Sequence, residues 1–452
     1  MSRAWLWTGL LAGVLVRAWL LPLPGSPDVG SWKAWSFAGA TDPTALYGVG
    51  GDPPVRRLIH WQQIEGTTEY PPLALYEVGL MGRIYRSLRT TFDDSPLLTA
   101  LIKLPGILAE LAFVLCLLFW GRRVWDPARA EWIALAVWLN PAIVINGAAL
   151  GYLDAQMAMP AALALVAAGA GRPGVAGALL AAAILTKAQA LFVAPVVVLA
   201  ALAYDIARRR QAFVACLAGG AVASAAILLP IALRGAWPNM IQAVSRLAAH
   251  DMLSGNALNL WWLVTWVVRA LDALRFGWVQ AFTFPVRILG IGRFMEVGYP
   301  NPKPIGTAMV IAALAWALWR ARGLRAVADW AFVGGWCVFA YFMLGIQVHE
   351  NHLYLAVPFL AIAAGLTASY RRAFWAMSLA TAFNMYIFYG LSEGSPPVIG
   401  RMWTGVDLTV LVALVNVVLF VVMTRTLVRT TSEVVATKSG RNHLRGASTP
   451  SV

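Results

Sequence analysis

The chain has 452 residues, of which 60% are hydrophobic and only 12% charged, with a mean hydropathy of +0.68 and a formal charge of +14. Soluble domains carry about 25% charged residues, so this composition excludes an ordinary soluble enzyme and describes a polytopic membrane protein. The excess of positive charge does not indicate nucleic-acid binding, because the basic residues sit mainly in short turns between apolar runs, where membrane topology puts them. Cys116, Cys216 and Cys337 fall inside apolar runs without metal-ligand spacing and read as small core residues.

Taken in order, a first apolar helix over 5–21 lacks a small-residue cleavage site and reads as a retained span. Pro22, Pro24, Gly25 and Pro27 stop it. The first extracytoplasmic loop, 23–96, is too polar to cross cleanly and carries interfacial helices starting near Ser31 and after Pro72. Spans are expected at 98–120, 132–148, 155–170, 175–185, 190–204 and 213–233. A second extracytoplasmic region, 234–304, holds a span at 258–274 and a short run at 278–291 that is either two short crossings or one re-entrant element. Spans at 305–319, 330–346, 353–368, 374–388 and 407–423 complete the ladder. The fold expected is therefore all-α, a bundle of about 12–14 spans in a single domain, 1–424, since lipid forces backbone groups to pair within each helix. The basic segment 425–452 reads as a disordered cytoplasmic tail lying on anionic lipid.

Clusters of Lys and Arg on alternate turns orient this ladder with Arg3 and the tail inside. The opposite turns then face outward, and they collect the polar residues that have no evident structural task. Ionisable groups at membrane depth are costly and default to function. Asp28 reads either as a turn residue or as a base at the membrane surface. Trp32 and Trp35 read as interfacial anchors. Glu69 and Tyr70 precede Pro71-Pro72, a proline-led helix start that leaves both side chains free to face a cavity. Asp154, in Gly151-Tyr152-Leu153-Asp154, is either a helix cap or a cavity acid. Lys187 in LTKAQ runs against the orientation rule, and either snorkels or binds an anionic phosphate. His349, Glu350 and His352 share one outward turn. The two histidines are three apart, but with no clear third ligand, hydrogen bonding to phosphate or sugar is favoured over a divalent metal. Arg246, His250, Asp251, Asn256 and Asn259 repeat the signal more weakly.

The stretches PDVGSWKAW, EYPPLALY, KLPGILAEL, LNPAIVINGAALGYLDAQM, LTKAQALFVAP, SGNALNLWWL and VHENHLYLAVPFL, in this order, resemble the GT-C superfamily of polyprenyl-phosphate-sugar-dependent glycosyltransferases. The similarity is nearest to bacterial multispanning mannosyltransferase-like proteins, and extends to the dolichyl-phosphate-glucose glucosyltransferases of N-glycan assembly. Ala188 stands where relatives often carry proline, and a single acid stands at 28 where some subfamilies have two.

The resemblance implies a GT-C-like bundle in which Asp28 deprotonates the acceptor hydroxyl. Lys187, Gln189, His349, Glu350 and His352 would meet the donor phosphate and sugar, while Glu69, Tyr70, Asp154, His250 and Asn259 would line the acceptor side of the cavity. It implies no required cofactor, and as partners a polyprenyl-phosphate sugar and a glycolipid, polysaccharide or protein acceptor. The expected activity is inverting transfer of a hexose, mannose first among them, on the outer face of a bacterial inner membrane. A multispanning transporter or lipid flippase is the competing class, expected to show internal repeats and midplane charges.

Overall fold

Several of the helices begin with one device, a capping side chain followed directly by proline. Ser95 Oγ accepts the amide of Leu98, Asp126 accepts those of Ala128 and Arg129, and Asn140 accepts that of Ala142. Each is followed by Pro96, Pro127 or Pro141, whose missing donor is harmless in the first helical turn. The computed structural model describes residues 3–47, 59–66, 68–245, 252–272, 302–403 and 406–446.

The chain opens with α1 (Arg3–Leu20), α2 (Asp28–Gly39), a 3₁₀ turn (Pro43–Tyr47) and α3 (Pro72–Leu88). Next come α4 (Pro96–Cys116) with a π turn after it (Leu117–Gly121), α5 (Pro127–Trp138), and α6 (Pro141–Val144) running into a second π turn (Ile145–Leu150). There follow α7 (Ala155–Gly169), α8 (Pro173–Thr186), α9 (Ala194–Tyr204), α10 (Arg209–Leu233), α11 (Trp237–Ser245) and α12 (Leu260–Leu271). The last group is α13 (Pro302–Ala321), α14 (Val327–Leu344), α15 (Ala356–Leu366), α16 (Arg371–Tyr389) and α17 (Leu408–Gly446). The only strands among the described residues form two small antiparallel hairpins, Ile59–Trp61 with Ile64–Gly66 and Met402–Trp403 with Val406–Asp407. The protein is an all-α, polytopic integral membrane protein.

Among the described residues five helices are long and apolar enough to cross a membrane: Pro96–Val124, Arg209–Leu233, Pro302–Ala321, Val327–Leu344 and Leu408–Glu433. A sixth arises if Pro127–Trp138 and Pro141–Leu150, bent by 44° at Asn140-Pro141, act as one span. Five further apolar helices have only 10–17 residues. The expected regular ladder of crossings is thus interrupted, and the interruptions have a cause. The chain leaves helical geometry at Gly151 (φ +74°), Lys187 and Gly345, next to the turns that carry inward polar side chains. The second element of the 258–304 ambiguity, the run 278–291, lies outside the described residues.

Packing follows membrane rules. α8 and α10 approach so closely that a Cβ on Gly177 would stand 1.8 Å from the Cys216 carbonyl oxygen, and one on Gly219 would stand 1.9 Å from that of Gly174. The outer face of α10 remains bare, with Val214, Leu217, Val222 and Leu233 exposed to what must be lipid. α14 and α15 are buried almost throughout and form the centre of the bundle. The first loop carries its two helices as expected, except that α2 begins at Asp28. The tail departs from expectation: α17 continues unbroken to Gly446. Arg320 holds its surface through Thr431 and Ser432, and no proline interrupts it.

An ion pair buried in the bundle ties three helices together. Arg17 meets Glu110 at 2.8 Å, with side-chain exposures of 2% and 0%, and its guanidinium sits 3.7 Å over the Trp138 ring while donating to the Trp138 carbonyl. This joins α1, α4 and α5. Removing one partner of such a pair leaves a charge stranded in a medium that cannot solvate it. Glu110→Ala is therefore expected to destabilise the purified protein by about 3–5 kcal/mol. Arg17→Met combined with Glu110→Leu should recover much of the loss, as read from thermal unfolding in detergent.

Candidate active site

The Asp28 loop and the Gly151–Asp154 turn, far apart in sequence, are folded against each other. Gly25 adopts φ +91°, and a Cβ there would stand 2.9 Å from the Leu150 carbonyl oxygen. That carbonyl instead accepts the Ser26 amide at 2.8 Å, while the Gly25 carbonyl accepts the amide of Glu393 at 2.6 Å. Val29 packs on Gly151, where an added Cβ would come within 2.8 Å of it. Asp28 follows Pro27 as the first residue of α2, where the helix dipole favours a negative charge.

Asp28 is accessible to solvent although protein surrounds it on most sides. Loss of solvation lifts its carboxyl above the usual 3.8; the Lys187 charge pulls it down and the Asp154 charge pushes it up. Asp28 and Asp154 also lie near enough to Glu350 to act on its charge. Residues 28, 154, 187 and 350 therefore share one electrostatic environment.

The centre of that environment is the Asp154 carboxylate, 1% exposed. Lys187 Nζ donates to its Oδ1 at 2.5 Å, and Asn146 and Asn351 donate to Oδ2 at 2.8 and 2.9 Å. Lys187 also faces the ring of Tyr70, 5.5 Å from its centroid. Burial pushes the Tyr70 hydroxyl up to about 12; Lys187 opposes the shift, and Asp28 and Asp154 add to it. Beside this group Tyr152 donates to Glu350 Oε1 at 2.5 Å, leaving Oε2 buried with no hydrogen-bond partner among the described residues. His352 is held at both ring nitrogens, by Tyr341 at Nδ1 and Gln189 at Nε2, each 2.9 Å away. His349 stands next to it, ring centroids 5.4 Å apart, and its backbone pairs with Gly255 and Asn256.

Thus Asp28, Tyr70, Asp154, Lys187, Gln189, His349, Glu350 and His352 belong to one connected group. Glu69 adjoins it through Tyr70. His250, with Arg246 and Asp251, lies outside the described residues. Three expectations need correction. Asn259 does not present its amide to a cavity: it caps α12 by accepting the Trp262 amide and donates to the carbonyls of Phe342 and Gly345. Asp154 occupies the cap position of α7 without capping it, because Lys187 and two asparagines claim its oxygens. Trp32 and Trp35 are not interfacial anchors; both are buried, edge-on to Tyr70 at 5.2 and 5.4 Å.

With both His352 nitrogens engaged, the 349–352 turn does not offer a two-histidine metal site, and no metal-ligating cluster of three occurs among the described residues. Sequence reading missed Asn146, Tyr152 and Asn351. The first two lie in the LNPAIVINGAALGYLDAQM stretch and the last beside Glu350, so position was legible even where chemistry was not. Among the described residues, cavities open elsewhere as well, one of about 560 Å³ between Asp42, Arg83 and Arg234 and another of about 450 Å³ between Trp120, Leu163 and Arg172. Neither is lined by the residues of this group.

No family model and no curated protein sequence matches the chain. Solved structures it resembles are those of an oligosaccharyltransferase from Archaeoglobus fulgidus. They comprise a form tethered with an acceptor peptide containing the NVT sequon (14% identity, TM-score 0.40), an apo form (13%, 0.42), and a complex with an inhibitory peptide and a dolichol-phosphate (13%, 0.34). The matches cover 95% of this chain and 55–56% of those chains, so it spans about half their length. Likeness this distant carries no argument about what this chain does.

The Asp154–Lys187 pair makes a direct prediction. Lys187→Met should destabilise the protein by about 3–5 kcal/mol, since it leaves Asp154 buried without its cation. Adding Asp154→Asn should restore part of the loss in thermal unfolding; strictly additive losses would show that the two groups do not depend on each other.

Proposed function

We propose that the protein is a GT-C-type glycosyltransferase that moves a sugar, mannose first among candidates, from a polyprenyl phosphate to an acceptor hydroxyl on the extracytoplasmic face of a bacterial inner membrane. The observation that carries this reading is the electrostatic grouping of Asp28, accessible and with a raised pKa, with the buried Lys187–Asp154 pair and Glu350. An accessible acid whose affinity for a proton is increased is suited to accept one. The ordered sequence stretches named above supply the substrate class.

In the reaction, the acceptor oxygen forms a bond to the anomeric carbon while its proton passes to the Asp28 carboxylate. The bond from the anomeric carbon to the phosphate oxygen breaks, and its electron pair leaves on the polyprenyl phosphate. Attack opposite the leaving group inverts the anomeric centre. Phosphate is a good leaving group, so no strong general acid is needed. Lys187 supplies the nearby positive field, and Gln189, which spends one amide hydrogen on His352, has a second for a phosphate or sugar oxygen. A transporter would need a reachable charge at membrane depth. The Arg17–Glu110 pair is sealed beneath Trp138 and does not favour that reading.

Incubating the purified protein with a panel of radiolabelled polyprenyl-phosphate sugars should give transfer or slow hydrolysis with one of them. Asp28→Asn should lower the rate by roughly 10²–10⁴-fold. It should not lower the melting temperature: the folded state holds this proton more tightly than an unfolded chain, so ionisation at pH 7 opposes folding and asparagine removes that opposition. An Asp28→Asn variant of full activity would sink the assignment of the base.

The pH profile carries the same information. The base works ionised, so kcat/KM should fall as pH drops through a raised pKa, with its acid limb above 3.8. A limb at or below that value would contradict the account.

A further inference from the structure

Lys103 lies in α4 within KLPGILAEL, a stretch whose role the reaction above does not use. It is 2% exposed, and no carboxylate pairs with it among the described residues. Its ammonium is instead surrounded by backbone carbonyls: Leu23 at 2.7 Å, Ala149 at 2.8 Å, Ala148 at 3.0 Å and Leu20 at 3.4 Å. An ammonium has three protons to donate, so this one is fully occupied by backbone. The four oxygens come from two places. Leu20 and Leu23 belong to the end of α1 and the loop leading to Asp28, while Ala148 and Ala149 belong to the end of the π turn leading to Asp154. Helix C-termini leave carbonyls unpaired and favour a cation; here one cation serves two ends at once. The lysine stem fills the space beside Gly25 and Gly151, where an added Cβ would stand 3.3 and 3.1 Å from its carbons.

We infer that Lys103 is a positioning residue: its ammonium fixes the Asp28 loop against the Gly151–Asp154 turn, and so sets where the base stands relative to the Lys187–Asp154 pair. It touches no reacting atom. This rests on the reading of Asp28 as the base, but its structural half is tested independently of activity.

The experiment uses the full-length protein and Lys103→Met, which keeps the length and removes the donors. Hydrogen–deuterium exchange should quicken in peptides covering 21–29 and 148–154 and remain unchanged in α14. Turnover should fall roughly 10- to 100-fold, the sensitivity expected when a catalytic group is displaced by about 1 Å. Binding of polyprenyl phosphate should change less than about threefold, being governed by groups Lys103 does not contact. Lys103→Arg, a cation of different shape, should restore the exchange pattern only in part.

Exchange that rises equally throughout the protein, or does not rise in 21–29, would overturn the proposal. So would unchanged turnover in folded Lys103→Met. If Lys103→Met does not fold, Lys103→Gln, which retains a donor, is read in the same way; failure of both would make the residue a determinant of folding and end the proposal. If exchange responds as expected while Asp28→Asn remains fully active, the positioning contact stands and the identity of the base is what fails.

Discussion

A buried carboxylate with three donors organises this protein. Removing an ionised acid from water is so unfavourable that it survives only when paired and hydrogen-bonded. Asp154 meets that demand with Lys187, Asn146 and Asn351, drawn from the end of α8, the π turn before Gly151 and a 3₁₀ turn (Glu350–Leu355) before α15. Three segments of the chain must therefore arrive together for the site to be tolerable at all. Once they do, Tyr70, Tyr152, Glu350 and His352 are carried into reach, and the Asp28 loop closes over the assembly through the Ser26–Leu150 hydrogen bond.

The irregularities of the bundle belong to the same constraint. A membrane helix satisfies its own backbone, so a break exposes groups that need partners. The breaks at Gly151, Lys187 and Gly345 lie beside the polar group, where side chains can answer them. Asn259 donates to the carbonyls left at the end of α14, and Lys103 answers those at the ends of α1 and the π turn. Short helices are thus the geometric condition for bringing polar side chains inward from one end of the bundle.

How much of this was legible in the sequence depends on the chemistry of each residue. Asp28, Asp154, Lys187, Glu350 and His352 stood out because charge is rare in a chain that is 12% charged. Their pairing did not. Lys187 was read as a free cation for phosphate, yet it is half of an ion pair, and only folding reveals which acid it chooses. Asparagines are silent in sequence, since an amide serves equally well as a cap, as Asn259 and Asn140 do, or as a donor to a buried acid, as Asn146 and Asn351 do. Tryptophans near a span end suggested anchoring, but Trp32 and Trp35 instead pack around Tyr70. The tail carried the charge of a disordered segment, although the absence of proline up to Gly446 and the contacts with Arg320 let α17 run on.

The central proposal is that a lipid-borne phosphate is received next to Asp28, in the field of the Lys187–Asp154 pair and beside Gln189. It is tested most directly by labelling the membrane-reconstituted protein with a photoactivatable polyprenyl phosphate carrying its reactive group close to the phosphate, then sequencing the modified peptides. The account predicts labels within 25–35, 149–156, 187–192 and 349–353, suppressed by excess unlabelled polyprenyl phosphate. Competable labelling confined instead to the Arg83–Arg234 cavity, with those four segments unmodified, would contradict it.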